Sequence, residues 1–406
     1  MSDPGSFDVV VIGAGPSGSL SAYHLARAGC NVALVDAKAF PREKPCGGGI
    51  QVRAVRRLPD GWRRVVRSEL NRVSFTYGLE RPFLRHSNEP LVYGVLRSEF
   101  DQFLLDAAVS AGAHFFGGSR VNCVESGRRS HVLARTQRVL FSAPFVIGAD
   151  GANSVVGQVL TPRDSFFWQA ALYSEIPLES CWRVPEDPCA MRIDWGSIPG
   201  GYGWVFPKSG SANIGVGGPA AIGRLLRPYL NRFLASVGLL ESGTGDAVEF
   251  TGHQLPTLTR RTRLSGKNIL LVGDAAGLVE PFTGDGISYA CHSAEIAATW
   301  VLKALGGEDV RPEDYAKAIW REIGREITWS RKLLAYGIAF PRTIYRTLRE
   351  KEPVWRKFCQ VLQGEANFYE LRELVLGKLS ALSGPLQLVA DGCERVRVAY
   401  AGQTLT

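Results

Sequence analysis

The stretch from Phe7 to Asp36 constrains the fold of this chain more than any other. FDVVVI, residues 7–12, is a continuous apolar and β-branched run of the kind buried on both faces of a parallel sheet. Gly13, Gly15 and Gly18 follow at once as G-x-G-x-x-G, SLSAYHLARAG reads as a helix closed by Gly29, and NVALVD as a second strand ending at Asp36. Strand, glycine turn, helix and a second strand with a terminal acid together make a β-α-β unit suited to a dinucleotide. Gly13 makes the tight turn, and Gly15 lets backbone N–H groups approach a pyrophosphate at the helix N-terminus. Gly18 lets the helix pack closely, and Asp36 accepts the ribose hydroxyls. The unit by itself leaves FAD and NAD both open.

A chain of 406 residues, 45% hydrophobic and 10% aromatic, is long enough for two or three packed substructures around this unit. The amino terminus lacks the basic stretch, apolar core and small-residue cleavage site of a signal peptide, and no run approaches the ~18 apolar residues of a membrane span. Cys30, Cys46, Cys123, Cys181, Cys189, Cys291, Cys359 and Cys393 show no CxxC or paired-ligand spacing. A reducing cytoplasm and no metal site are therefore expected. The net charge of +8 is ordinary in total but uneven, since ten Lys/Arg against four Asp/Glu fall between residues 321 and 357. That face is one that could meet an anionic surface, and no nucleic acid is expected.

Two later motifs choose the cofactor. FVIGADGANSVV carries Gly148-Ala149-Asp150-Gly151 and Ser154 after an apolar strand. NILLVGDAAGLVEPFTGDGISYA carries Gly273-Asp274 and then Gly284-Asp285-Gly286 opening a helix. Both resemble the signatures of FAD-dependent hydroxylases and their relatives. The resemblance implies that Asp274 contacts the ribityl and pyrophosphate, that Gly284, Gly286 and Ile287 lie near the isoalloxazine, and that the first motif is mainly a packing and turn element. Arg97, opening the helix in VLRSEFDQFLLDAA, matches the arginine that reaches the cofactor in that superfamily; by itself it would read as a solvated N-terminal residue. No second G-x-G-x-x-G lies between a strand and a helix, so reducing equivalents are expected from a visiting donor, NADPH or ferredoxin.

Residues 166–218 change character, to short aromatic and β-branched runs separated by Pro and Gly, and read as an antiparallel sheet. In PGGYGWVFPKSGSANIGVGG, Tyr202, Trp204 and Phe206 alternate onto one face and Pro207-Lys208-Ser209-Gly210 reads as the turn. Such a stripe is ordinarily plain core. Here Pro199, Tyr202, Trp204, Phe206 and Pro207 fit P-x-x-Y-x-W-x-F-P, and Pro45-Cys46-Gly47-Gly48-Gly49-Ile50 supplies a cysteine-glycine element. In this order the motifs resemble the geranylgeranyl reductase family from about Phe7 to about Thr299. The family pattern implies Tyr202, Trp204 and Phe206 against the substrate, and Cys46, Gly47 and Gly48 against the flavin. An acid at Asp285 in the glycine turn resembles the chlorophyll-type branch more than the archaeal ether-lipid one.

The expected fold class is α/β: a Rossmann-like FAD-binding domain with an antiparallel β-sheet substrate domain and a helical C-terminal region. The FAD-binding domain takes residues 1–165, with a short excursion into the substrate domain near 72–93. The substrate sheet takes 166–265, the second part of the FAD domain 266–310, and the helical region 311–406. Its basic amphipathic text, WSRKLLAYGIAFPRTIYRTL, suits either a cap on the FAD domain or a helix lying on the inner face of a membrane.

The expected function is saturation of C=C bonds in an isoprenoid chain borne by a lipid, a quinone or a chlorophyll-like precursor. Reducing an isolated alkene takes a hydride from reduced flavin and a proton from a positioned acid, in an apolar slot that holds the bond close. Cys46 is the expected proton donor or relay, with Tyr202 and Trp204 beside it; a small packing residue is the plainer reading of Cys46. Flavin-dependent monooxygenation or halogenation remains the alternative, although Tyr202 and Phe206 replace the first Trp and the Ile of the halogenase W-x-W-x-I-P motif. Electron transfer to quinones is a third class, without cysteine spacing for an iron-sulphur module.

Overall fold

The computed structural model describes residues 7–126, 132–177, 190–238 and 248–376. Cys181, Cys189 and Cys393 lie outside these residues, as does the C-terminal region from residue 377 onward.

The opening β-α-β unit is β1 (Val9–Ile12), α1 (Pro16–Arg27) and β2 (Val32–Val35). Pro16 stands in the first turn of α1, where an N–H would have no partner in the helix. The chain continues through β3 (Gly49–Gln51), β4 (Val66–Leu70), the hairpin β5 (Arg72–Tyr77) and β6 (Glu80–His86), β7 (Val92–Val95), α2 (Arg97–Ser110) and β8 (His114–Phe116). A small antiparallel sheet of β9 (Cys123–Ser126), β10 (Val132–Arg135) and β11 (Leu140–Ala143) leads into β12 (Phe145–Gly148) and α3 (Val155–Leu160). Next come β13 (Phe167–Pro177), β14 (Met191–Trp195), β15 (Tyr202–Lys208), β16 (Ser211–Pro219), α4 (Leu226–Ser236) and β17 (Thr251–Thr257). After β18 (Ser265–Gly266), β19 (Ile269–Leu271) and α5 (Ile287–Leu305), the described residues continue through the α-helices α6 (Pro312–Ile319), α7 (Arg325–Ala339), α8 (Pro341–Glu350), α9 (Glu352–Gln363) and α10 (Phe368–Leu376).

The first sheet runs β18-β19-β12-β1-β2-β8 and is parallel except at its β18 edge. Val9, Val10, Val11, Val32, Leu34 and Val35 are fully buried, as an apolar run covered on both faces requires. Ile12 stands level with Val35 on one side and Gly148 on the other, so the glycine turn leaves β1 at the carboxyl end of the sheet, where open α/β sheets hold their ligands.

The second sheet runs β17-β13-β16-β15-β14-β5-β6. It is not wholly antiparallel, as its own residues led us to expect. β14 pairs in parallel with β5, Met191 level with Val73, because the hairpin β5–β6 joins the sheet from residues 72–86. The turn between β15 and β16 is also tighter than expected. Pro207 pairs with Ala212 and Lys208 with Ser211, leaving Ser209-Gly210 as the two-residue connection, with Gly210 at φ 84°. Lys208 is therefore a buried strand residue, its ammonium 2.7 Å from Glu175.

One face of this sheet packs on α4 through Val205, Ile214, Val216 and Phe233. The other, with Val73, Phe75, Met191 and Phe206, packs on Leu333, Leu348, Trp355 and Leu362 of the C-terminal helices. The apolar side of α8, with Ile344, Tyr345 and Leu348, is thus buried against protein, and Arg342, Arg346 and Arg349 face solvent. No helix of the described residues is long and apolar enough to cross a membrane.

Candidate active site

A cavity of about 520 Å³ lies where the carboxyl ends of the first sheet meet the β15 face of the second. Gly13, Gly15, Asp36, Cys46, Gly47, Arg97, Tyr202, Trp204, Phe206, Asp274, Gly284, Gly286 and Ile287 all line it; Gly18 and Gly48 do not. Gly18 is a packing residue, since a Cβ there would lie 1.7 Å from the Gly13 carbonyl oxygen.

Two helices begin at the cavity: α1 at Gly15, with no side-chain cap and no acid in its first turn, and α5 at Gly286, where the Asp285 carboxylate accepts the Ser288 N–H at 3.1 Å. The free N–H groups and partial positive charge of α1 suit a phosphate. Gly15 leaves room, because a Cβ there would meet only the Arg42 Nη2, at 3.6 Å. Asp36 sits at the end of β2 and accepts the Ala14 and Lys38 N–H groups at 2.7 and 2.8 Å, which fixes its carboxylate at the cavity wall. These residues suit a bound FAD: Gly15 and α1 would hold its pyrophosphate, Asp36 its ribose, and Gly286 would stand near its ring. Asp150 instead caps α3, accepting from Ser154 and from the Val155 and Val156 N–H groups, the turn role its motif implied.

Arg97 is buried, not solvated. Its guanidinium makes two 2.8 Å bonds to Asp101 and also reaches Cys46. The Cys46 Sγ accepts the Gly48 N–H at 3.4 Å, and Asn213 holds the Cys46 carbonyl at 3.1 Å. With donors from Gly48 and Arg97 on the sulphur, the thiol's own S–H is the bond left to direct elsewhere. The neighbouring glycines admit the aromatic stripe: a Cβ on Gly47 or Gly49 would press on Phe206 at 3.2–3.3 Å, and Gly48, at φ 66°, lies against the Val95 carbonyl and Lys208. Close approach in this loop is thus to the sheet as well as to the cavity.

On β15, Trp204 donates to Asn213 at 2.8 Å and Tyr202 to the Thr283 carbonyl at 2.5 Å. Burial pushes the Tyr202 phenol well up, and Glu280 and Asp285 add to the rise. Five residues at the site had not been singled out from sequence: Lys44, His253, Gln51, Thr283 and Glu280. Lys44 Nζ lies 3.1 Å from His253 Nε2, and both stand 4.0 Å from the Asp274 carboxylate. Burial alone would raise that carboxyl, but His253 and Lys44 hold it below the ordinary range. His253 comes from β17 and belongs to no motif. Glu280 and Thr283 lie inside VEPFTGDG, where an acid in an otherwise apolar run was the available signal.

The fold and the cavity define an FAD-dependent oxidoreductase. A family model described as an FAD binding domain matches residues 6–166. Digeranylgeranylglycerophospholipid reductase 1 of Methanopyrus kandleri is 34% identical over 75% of this chain and 82% of its own, and a menaquinone reductase of Mycolicibacterium smegmatis is 33% identical over 86% and 87%. The chain belongs to the geranylgeranyl reductase family. Among solved structures, a geranylgeranyl bacteriochlorophyll reductase-like protein of Thermoplasma acidophilum superposes with TM-score 0.71 at 23% identity, covering 96% of this chain and 100% of that one. The flavin-dependent brominase Bmp2 superposes with TM-score 0.70 at 19%, covering 90% and 94%, and shares the fold.

Proposed function

We propose that the protein saturates C=C bonds of an isoprenoid chain carried by a lipid or quinone. The observation that supports this reading most is a second, apolar cavity of about 100 Å³ between the sheet and the C-terminal helices. It shares Gln51, Val92, Tyr202, Phe206 and Thr283 with the large cavity and continues between Phe75, Met191, Trp195, Phe358 and Leu362, with no charged residue in its wall. A hydrocarbon chain gains by burial in such a slot, ~0.8 kcal/mol per CH₂, and a charged or strongly polar substrate does not. The slot would present a double bond at Tyr202 and Phe206, opposite Cys46 and Gly47. Reduced FAD, once bound, supplies the hydride, and a visiting donor reduces the flavin. The chain's own residues hold the alkene, exclude water and deliver the proton, for which Cys46 is the proposed donor or relay.

Anaerobic incubation of the dithionite-reduced protein with prenyl alcohols, prenyl diphosphates and menaquinones, followed by mass spectrometry, tests this. Reduction adds two mass units per double bond. Insertion of oxygen or halogen in air, with no gain of hydrogen anaerobically, would replace reduction by the monooxygenase or halogenase reading.

A lipid-borne chain also needs a route to the slot. The apolar side of α8 is taken up by the sheet, so we propose that attraction to a membrane is electrostatic, through Arg342, Arg346 and Arg349. At ~1 kcal/mol per basic residue near an anionic surface, three arginines strengthen binding by about a hundredfold. The protein should sediment with anionic vesicles at low salt, release at high salt, and bind neutral vesicles weakly. Equal partitioning under all these conditions would leave α8 as a solvated cap.

A further inference from the structure

Adding hydrogen across a double bond consumes a proton at every turnover. Whichever group hands it to the carbon must then be reprotonated while cofactor and hydrocarbon fill the cavity. Glu280 is fully buried behind that cavity. One carboxyl oxygen, Oε1, accepts from the Phe282 N–H and the Ser330 hydroxyl. The other, Oε2, accepts the Thr283 N–H at 2.9 Å and bonds the Thr283 hydroxyl at 2.5 Å. Gln51 Nε2 donates to that same hydroxyl oxygen at 3.0 Å. A hydroxyl has two lone pairs and one hydrogen. When Glu280 is protonated and donates to Thr283, both lone pairs are taken, by Glu280 and Gln51. The Thr283 O–H must then point a third way, and Thr283 lines both the large cavity and the apolar slot.

On the far side lies a polar cavity of about 280 Å³, bordered by Arg53, Tyr289, His292, Glu322 and Glu326. Arg53 and Tyr289 in its wall, and Asp285 in the wall of the large cavity, carry buried atoms, Nη1, Oη and Oδ2, that make no hydrogen bond to described protein groups. Buried polar atoms of this kind are bridged by water in folded proteins. We propose that Glu280 is the proton store of the reaction, emptied into the active cavity through the Thr283 hydroxyl and refilled from the polar cavity behind it. The inference rests on the alkene-reduction reading. Per turnover, one C=C π bond becomes two C–H bonds: the hydride comes from reduced flavin, the proton from the donor at the carbon, for which Cys46 is proposed, that donor is reprotonated from Glu280 by way of Thr283, and the resulting carboxylate takes a proton from solvent. Glu280 acts through Thr283 and is a positioning residue in this scheme.

Burial pushes the Glu280 carboxyl up to about 7; its hydrogen bonds from Thr283 and Phe282 oppose the rise, and Asp285 adds to it. Arg53 on the segment after β3, Tyr202 on β15 and Tyr289 on α5 also interact with it, and Glu326 on α7 shares Arg53 with it. A folded-state value above the ordinary 4.5 means that the group's contribution to stability is complete below about 4.5 and is lost as pH rises through about 7. Glu280→Gln has no such loss, so its melting temperature relative to wild type should climb across that interval.

The proton store is tested by Glu280→Gln, Thr283→Val and Thr283→Ser. In the infrared, without turnover, wild type should show a protonated-carboxyl band that disappears as pH passes about 7 and is missing in Glu280→Gln. Steady-state reduction of a prenyl substrate should fall above about pH 7 in wild type. Glu280→Gln should keep the flavin spectrum, reduce about a hundredfold more slowly and lose that alkaline limb. Thr283→Val should slow reduction similarly, and Thr283→Ser should restore it. With an active wild type, an unchanged rate and limb in Glu280→Gln, or a band titrating in the ordinary carboxylate range, overturns the store alone. Wild-type inactivity toward every prenyl probe overturns the reduction reading and the store with it.

Discussion

Gly15→Val is expected to give a folded protein that binds no FAD. Gly15 has extended backbone, φ −72° and ψ −176°, which a β-branched residue before proline tolerates. A Cβ there meets only the tip of Arg42, so the protein itself has little to repack. The added methyl groups would instead fill the space in front of the α1 N-terminus. Hydrogen bonds to a charged group are worth ~1.5–3 kcal/mol each, so displacing a pyrophosphate from two N–H groups weakens binding by at least about a hundredfold. Gly18→Val makes the contrast. Its Cβ would overlap the Gly13 carbonyl, a backbone group that cannot rotate away, and folding itself should fail. Absorbance of bound flavin, read beside far-ultraviolet circular dichroism, separates the two variants. A yellow Gly15→Val protein would show that the pyrophosphate lies elsewhere.

Cys46→Ala and Cys46→Ser should both retain the flavin spectrum and both slow alkene reduction by about a hundredfold, the ordinary scale of a lost general acid. The loop should survive either change, because beside the sulphur's own bond from Gly48 it is held by Asn213 on the Cys46 carbonyl and by the Val95 N–H on the Gly48 carbonyl. Serine can still accept from Gly48 and Arg97 but is a much weaker acid than a thiol. Alanine leaves Arg97 with Asp101. Flavin reduction by dithionite needs no proton at a substrate carbon and should be unchanged. The loss should be present at every pH, unlike that of Glu280→Gln, whose signature is the missing alkaline limb. A Cys46→Ala protein that reduces a prenyl substrate at the wild-type rate would make the residue a packing element.

What could be read in advance follows the range of the interactions involved. The β-α-β unit was legible because strand, turn and helix are specified within about 30 residues, and each glycine has a local reason. The stripe Tyr202, Trp204, Phe206 was legible from its period of two. Lys208 was not. It looks like a turn residue until Glu175, on β13, supplies the carboxylate that lets an ammonium be buried. The parallel join of β14 to β5 was equally hidden, since nothing local to Met191 points to Val73. In the sequence, Glu280 is one acid in a loop. Its meaning comes from Ser330 on α7, Thr283 and the cavity on the other side, partners that only the tertiary fold brings together.

The same long-range joins govern the order in which this chain can become an enzyme during synthesis. β1 and α1 leave the ribosome long before the strands that extend their sheet on one side, β12, at residues 145–148, and β19, at 269–271. The hairpin β5–β6 waits for β14 in the same way. Contacts that span so much chain form late, because loop closure must precede any gain from burial. The cavity lacks a wall until α5 has been made, so a nascent chain carries the glycine turn through most of its elongation without a complete place for a flavin. Cofactor capture is then a closing step of folding, and the cofactor stabilises an assembled protein rather than guiding its assembly.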